Sequence, residues 1–144
     1  QEAKMFEKIL LAVDGSEHGL HAAQTAGDLS RAMHSTHLRI IVAYEPIPPY
    51  LGEPNLQQAI DARLVQANAI LEAAVKAVGQ MSAEIHTELI EGSPAEAIIS
   101  VAVTRGSDVI VMGSRGLGRI TGALLGSTSQ KVVTHAPCPV LIIR

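Results

Sequence analysis

Five short apolar runs alternate with longer stretches of helical period, and this alternation limits what the chain can become more than any other feature does. Residues 8–13 (KILLAV), 38–44 (LRIIVAY), 108–112 (DVIVM) and Val140–Ile143 are nearly unbroken in Val, Ile, Leu and Ala. Residues 84–90 instead alternate polar and apolar positions, as a strand near a sheet edge does. Strands that read as continuous aliphatic runs, each followed by a helix, belong in a parallel sheet covered on both faces. Right-handed crossovers then select a doubly wound α/β fold, with one five-stranded parallel sheet between helical layers.

The punctuation agrees with that order. Asp14-Gly15 ends the first strand, and Ser16 is an N-cap for an alanine-rich helix over residues 17–32. Residues 45–54 hold four prolines and a glycine, so they are expected to form a loop that cannot hold a helix. This loop lies beside the end of the second strand, where a lid would sit. Asn55–Val78 reads as a long helix stopped by Gly79. In Gly92-Ser93-Pro94-Ala95-Glu96, Ser93 is expected to cap, Pro94 to take the first helical position and Glu96 to close a capping box. That helix should run to Thr104 or Arg105, with Gly106 just beyond, and a last helix should span residues 127–135. No repeat or internal boundary interrupts the 144 residues, which form one expected domain; residues 1–4, ahead of Met5, are expected to be a short flexible extension.

Composition removes several function classes. A net charge of −3 leaves no basic footprint for nucleic acid. Phe6, Tyr44 and Tyr50 are the only aromatic residues, too few for a base-stacking platform. No stretch approaches the ~18 apolar residues of a membrane span, and the start carries no signal-peptide pattern, so the expected setting is the cytoplasm. Cys138 is the single cysteine, set between Pro137 and Pro139, with no nearby cation to activate it. Histidines at 18, 21, 34, 37, 86 and 135 have no cysteine or paired carboxylate at ligand spacing, so they read as solvated or capping residues.

Ligands of open parallel sheets bind beyond the carboxyl ends of the strands, where the winding reverses. Those ends are Asp14-Gly15-Ser16, Ala43-Tyr44 and Met112-Gly113, all small enough to admit a base and a sugar. After the fourth strand come Gly113, Gly116, Gly118, Gly122 and Gly126, followed by Ser127, Thr128 and Ser129 at a helix start. Glycine amides, a helix N-terminus, hydroxyl donors and the cations Arg115 and Arg119 together mark a site for a polyphosphate. The same glycines would equally serve a loop that only has to turn tightly and pack, and one hydroxyl is needed as an N-cap in any case. The P-loop G-x-x-x-x-G-K-[ST] is absent, and neither Asp14–Gly19 nor Gly113–Gly118 has the dinucleotide spacing.

Gly113, Gly116, Gly126 and Ser127 fit the pattern G-x2-G-x9-G-[ST], and in this the chain resembles the universal stress protein family in its ATP-binding branch. KILLAVDGSE near the start, EGSPAEAI at the third strand-to-helix junction and APCPVLIIR at the end are similar to that family as well, so the likeness spans the chain. The resemblance implies a Rossmann-like fold of the adenine nucleotide alpha hydrolase type. It also implies an ATP complex with Mg or Mn, and a homodimer through Val140–Ile143. Carried across position by position, it assigns Ala12, Val13 and Asp14 to adenine and ribose, Ala43 to the adenine edge, and Met112 and Gly113 to the sugar. Gly116, Gly126, Ser127 and Thr128 would hold phosphate, with Arg115 beside them.

Three functions follow as alternatives. A regulatory ATP-binding protein is favoured; a slow ATPase or phosphoryl or nucleotidyl transferase is the second; a nucleotide-independent dimeric scaffold is the third. Fast transfer needs a positioned base, and Asp14 is already given to the ribose.

Overall fold

A computed structural model describes residues 5–115 and 125–144. Strand β1 (Lys8–Ala12) leads to helix α1 (Glu17–Met33), then β2 (His37–Tyr44), α2 (Asn55–Val78), β3 (Glu84–Glu91) and α3 (Pro94–Arg105). Strand β4 (Val109–Gly113), helix α4 (Ser127–His135) and β5 (Val140–Ile143) complete the order. All five strands are parallel, arranged β3-β2-β1-β4-β5. The chain therefore winds outward from β1 through β2 to β3, then returns to the other flank of β1 for β4 and β5. The winding reverses between β1 and β4, where a ligand crevice is expected in such a sheet.

Alternate residues of each strand face opposite layers. On one face Ile9, Leu11, Leu38, Ile40, Val42, Val109 and Val111 pack against Ala22, Ala23 and Ala26 of α1 and Ala67, Ala74 and Val78 of α2. On the other, Leu10, Ala12, Ile41, Ile110 and Met112 meet Ala95, Ile98 and Ala102 of α3 and Val132 of α4. The helices present alanine because a small side chain lets a helix lie close to the sheet. Gly27 takes this to its limit, since a β-carbon there would collide with the backbone of Val78 at the end of α2.

Three local expectations change. Residues 45–54 contain one turn of 3₁₀ helix, Pro49–Leu51, despite their prolines. Its two bonds are donated by the amides of Leu51 and Gly52 to Pro48 and Pro49, so the prolines only accept. Ser93 does occupy the N-cap of α3 with Pro94 inside, but its side chain makes no capping hydrogen bond. Asp108, read as the first residue of the fourth strand, lies just before it. Its carboxylate accepts from the amides of Glu7 (2.9 Å) and Lys8 (3.2 Å) and so anchors the entry of β1.

Candidate functional site

Ala12 pairs in register with Ile41 on one side and Met112 on the other, so β1 and β4 end at nearly one level while β2 runs on beside them to Tyr44. Beyond them opens a cleft whose floor is formed by Ala12, Ala43 and Met112. Val13, Asp14 and Gly113 stand at its turn side, with Arg115 and Thr128 at its rim. The register alone explains this convergence of residues from opposite ends of the chain.

Hydrogen bonds hold the turns that frame the cleft. Asp14 accepts the amide of Ser16 through Oδ1 (2.9 Å), which closes the turn after β1. Ser16 Oγ accepts from the Gly19 amide (3.1 Å) as the N-cap of α1 and donates to the Arg115 carbonyl (3.3 Å). His18 Nδ1 meets Ser114 Oγ at 2.7 Å, and Ser129 Oγ lies 2.9 Å from the carbonyl of Gly113 and 3.2 Å from that of Ser114. The exit of β4 is thus tied both to the first turn of α1 and to α4. Gly113 is required by that packing, because a β-carbon there would sit 2.8 Å from His18 Cβ and 2.9 Å from its backbone carbon. For this glycine the structural role anticipated as the alternative is real.

The helix ends differ in a way that matters for anions. Ser16 caps α1 with its side chain, whereas neither α3 nor α4 receives a side-chain cap. Gly126 stands at the N-cap of α4, and Thr128 and Ser129 in its first turn line the cleft. An uncapped helix start carries amide donors and a partial positive charge toward whatever occupies the space before it.

A second, larger cavity of about 600 Å³ lies between α1 and α2, against about 80 Å³ enclosed by the cleft at the strand ends. Size alone would favour the larger one. Its lining, however, includes Leu20, Ala69, Ile70, Ala73 and Ala74 with the carboxylates Asp14 and Glu17, and no cation is among the described residues that line it. That chemistry rejects a polyphosphate. The smaller cleft has hydroxyls, a guanidinium and a helix start, and its enclosed floor suits part of a ligand whose remainder lies at the open mouth.

Of the residues singled out from sequence, Ala12, Val13, Asp14, Ala43, Met112, Gly113, Arg115 and Thr128 come together around this cleft. Gly126 and Ser127 form the start of α4 but are not among its lining residues. Gly116 lies outside the described residues, as do Gly118, Arg119 and Gly122. Pro94 and Ile98 of α3, together with Ile41, form a wall that the sequence reading did not foresee. The EGSPAEAI stretch carries the first two, but which helix crosses the cleft is decided by tertiary winding and not by local pattern. Cys138 is half-buried, and burial first, with the Asp108 charge second, pushes its thiol pKa up. A thiolate is therefore disfavoured there, in keeping with its reading as unreactive.

Residues 5–144 match the model of the Universal stress protein family. The universal stress protein in the QAH/OAS sulfhydrylase 3′ region of Thermus aquaticus is 46% identical over 140 residues, covering 97% of this chain and 100% of that one. Universal stress protein UspA from Lactobacillus plantarum superimposes with a TM-score of 0.86 at 28% identity, over 99% of this chain and 100% of that one. A universal stress protein solved in complex with cAMP aligns with a TM-score of 0.67 at 28% identity, over 99% of each chain.

Proposed function

The chain belongs to the universal stress protein family, and on that footing we propose that it is a cytoplasmic regulatory protein that holds ATP with Mg²⁺ or Mn²⁺ at the strand ends, hydrolysing it slowly if at all. What carries the reading is the convergence on one cleft of Asp14, the small strand ends and the uncapped start of α4, with Arg115 and Thr128 at the rim. Adenine packs against Ala12, Ala43, Ile41, Ile98 and Met112, which are apolar and leave room for a flat ring. Asp14 holds its turn through Oδ1, and its second oxygen accepts from a ribose hydroxyl. The phosphates run toward Thr128, Arg115 and the amides of α4, with Gly116, Gly126 and Ser127 completing their cradle. The metal rides on the phosphates, and no side chain of the protein is assigned to it.

Asp14 is the one carboxylate among the described lining residues, and a group holding the ribose is badly placed to activate water at the γ-phosphate. This favours a binding protein over a transferase. Dimerisation is part of the proposal: β5 ends the sheet with four aliphatic residues, and Leu141 is 38% exposed.

The test is a thermal shift with ATP and Mg²⁺, with GTP and cAMP in parallel. A micromolar dissociation constant corresponds to about −8 kcal/mol. At ~100-fold saturation the ligand stabilises the fold by about 2.7 kcal/mol, which raises Tm by roughly 5–10 °C. No shift at millimolar ATP sinks the proposal. A larger shift with cAMP keeps an adenine nucleotide in the cleft but removes the triphosphate, and turnover above about 1 per second makes the protein an enzyme.

A further inference from the structure

At the opposite end of the sheet from the cleft, two histidines and a glutamate converge. His37 and Glu84 are the first residues of β2 and β3 and pair in register, and His86 stands one residue pair further along the same face. His37 Nδ1 and His86 Nε2 are 3.2 Å apart, His37 Nδ1 and Glu84 Oε2 3.7 Å, and His86 Nε2 and Glu84 Oε1 3.8 Å. Each residue offers one ligand atom, and all three atoms lie within 4.8 Å of one another.

We propose that His37, Glu84 and His86 form a binding site for a divalent transition-metal ion of the Zn²⁺ type. Tetrahedral zinc with bonds near 2.1 Å places its ligand atoms about 3.4 Å apart; the two ring nitrogens at 3.2 Å match that edge, and each approaches a different oxygen of Glu84, at 3.7 and 3.8 Å, so the carboxylate faces both. Two imidazole nitrogens and one carboxylate oxygen are a zinc donor set, and the fourth position is left to water. The two rings are stacked, 29° apart with centroids separated by 5.3 Å, which holds the two nitrogens side by side. Glu84 is exposed enough for the ion to enter from solvent, its side chain being 66% accessible.

The surroundings set the strength of the site. Lys8, Arg39 and Arg105 line the same depression and oppose a cation, while Arg39 is offset by Glu88 at 3.8 Å. The ion would bridge the outermost strand to its neighbour at the end where both begin. No sequence spacing could have exposed this, because 49 residues separate the histidines and strand register alone brings them together.

The experiment uses chelator-treated, nucleotide-free protein titrated with Co²⁺ and then Zn²⁺. One equivalent of Co²⁺ per chain should give visible absorption that Zn²⁺ abolishes. His37→Gln, His86→Gln and Glu84→Gln should each weaken binding by about tenfold or more, while His34→Gln and His135→Gln leave it unchanged. Should a variant fail to fold, Zn²⁺ titration of the unaltered chain followed by histidine ¹⁵N shifts should move His37 and His86 before the other four. No saturation by about 0.1 mM metal, wild-type affinity in folded His37→Gln and His86→Gln, or first shifts at any other histidine overturns the proposal.

Discussion

The two faces of the sheet are built from alternate residues of the same strands, yet they are chemically unlike. Toward α1 and α2, β1 and β2 present Ile9, Leu11, Leu38, Ile40 and Val42, aliphatic from end to end and almost wholly buried. Toward α3 and α4 the same strands present Lys8, Leu10 and Ala12, and His37, Arg39, Ile41 and Ala43. The second series is graded, with charge where the strands begin, aliphatic bulk in the middle and small residues where they end. A uniform face can only be core. A graded face has somewhere to place ligands, and both sites proposed here lie on it, one at each end of the gradient.

Truncation on the uniform face should cost most. Leu11→Ala is expected to lose about 2–5 kcal/mol of unfolding free energy in urea titration, and a loss below 1 kcal/mol would erase the contrast. Gly113→Ala should follow, at about 1–3 kcal/mol, because the obstructing atoms are the Cβ and backbone of His18 and cannot swing aside. Asp14→Ala, at the small-residue end, should destabilise the free protein by about 0.5–1.5 kcal/mol through the lost turn bond to Ser16 and weaken ATP by roughly 5- to 150-fold in calorimetry, a loss of about 1–3 kcal/mol. Arg39→Gln, at the charged end, should change stability by at most about 1 kcal/mol, since its partner Glu88 sits at 3.8 Å and is partly solvated.

The smallest effect concerns Cys138, which packs under the graded face. With its pKa raised, the thiol stays protonated above the ordinary range, so alkylation by iodoacetamide should climb only at more alkaline pH than for a free cysteine. Asp108→Asn removes the secondary cause, and the rate profile should move modestly toward neutral pH. A profile unchanged by that substitution would leave burial as the whole cause.

Much of the architecture was legible because its boundaries are punctuated. Pro54 and Gly79 bracket α2, and Pro137 and Pro139 precede β5; these elements, like α4, fall on the residues read from sequence. Strand ends drifted by a residue, since β1 stops at Ala12 and β2 begins at His37, because ladder pairing and not hydropathy sets them. Local pattern also placed most residues of the cleft, each of which lies at a strand end or helix start. It missed Pro94 and Ile98, whose role depends on how α3 crosses the sheet. It set aside His37 and His86, whose meeting is a matter of register, and it could not show that close packing of α1 demands a glycine at 113 whatever the ligand.

The strand order has a consequence for how the chain is made. Synthesis from the N-terminus delivers β1, β2 and β3 first, and they can pair as they emerge, but one flank of β1 stays bare until β4 leaves the ribosome. At ~5–20 residues per second that interval lasts about one to four seconds, during which Ile9, Leu10 and Leu11 border an open ladder. What becomes the middle of the finished sheet is, for that time, the rim of the nascent one.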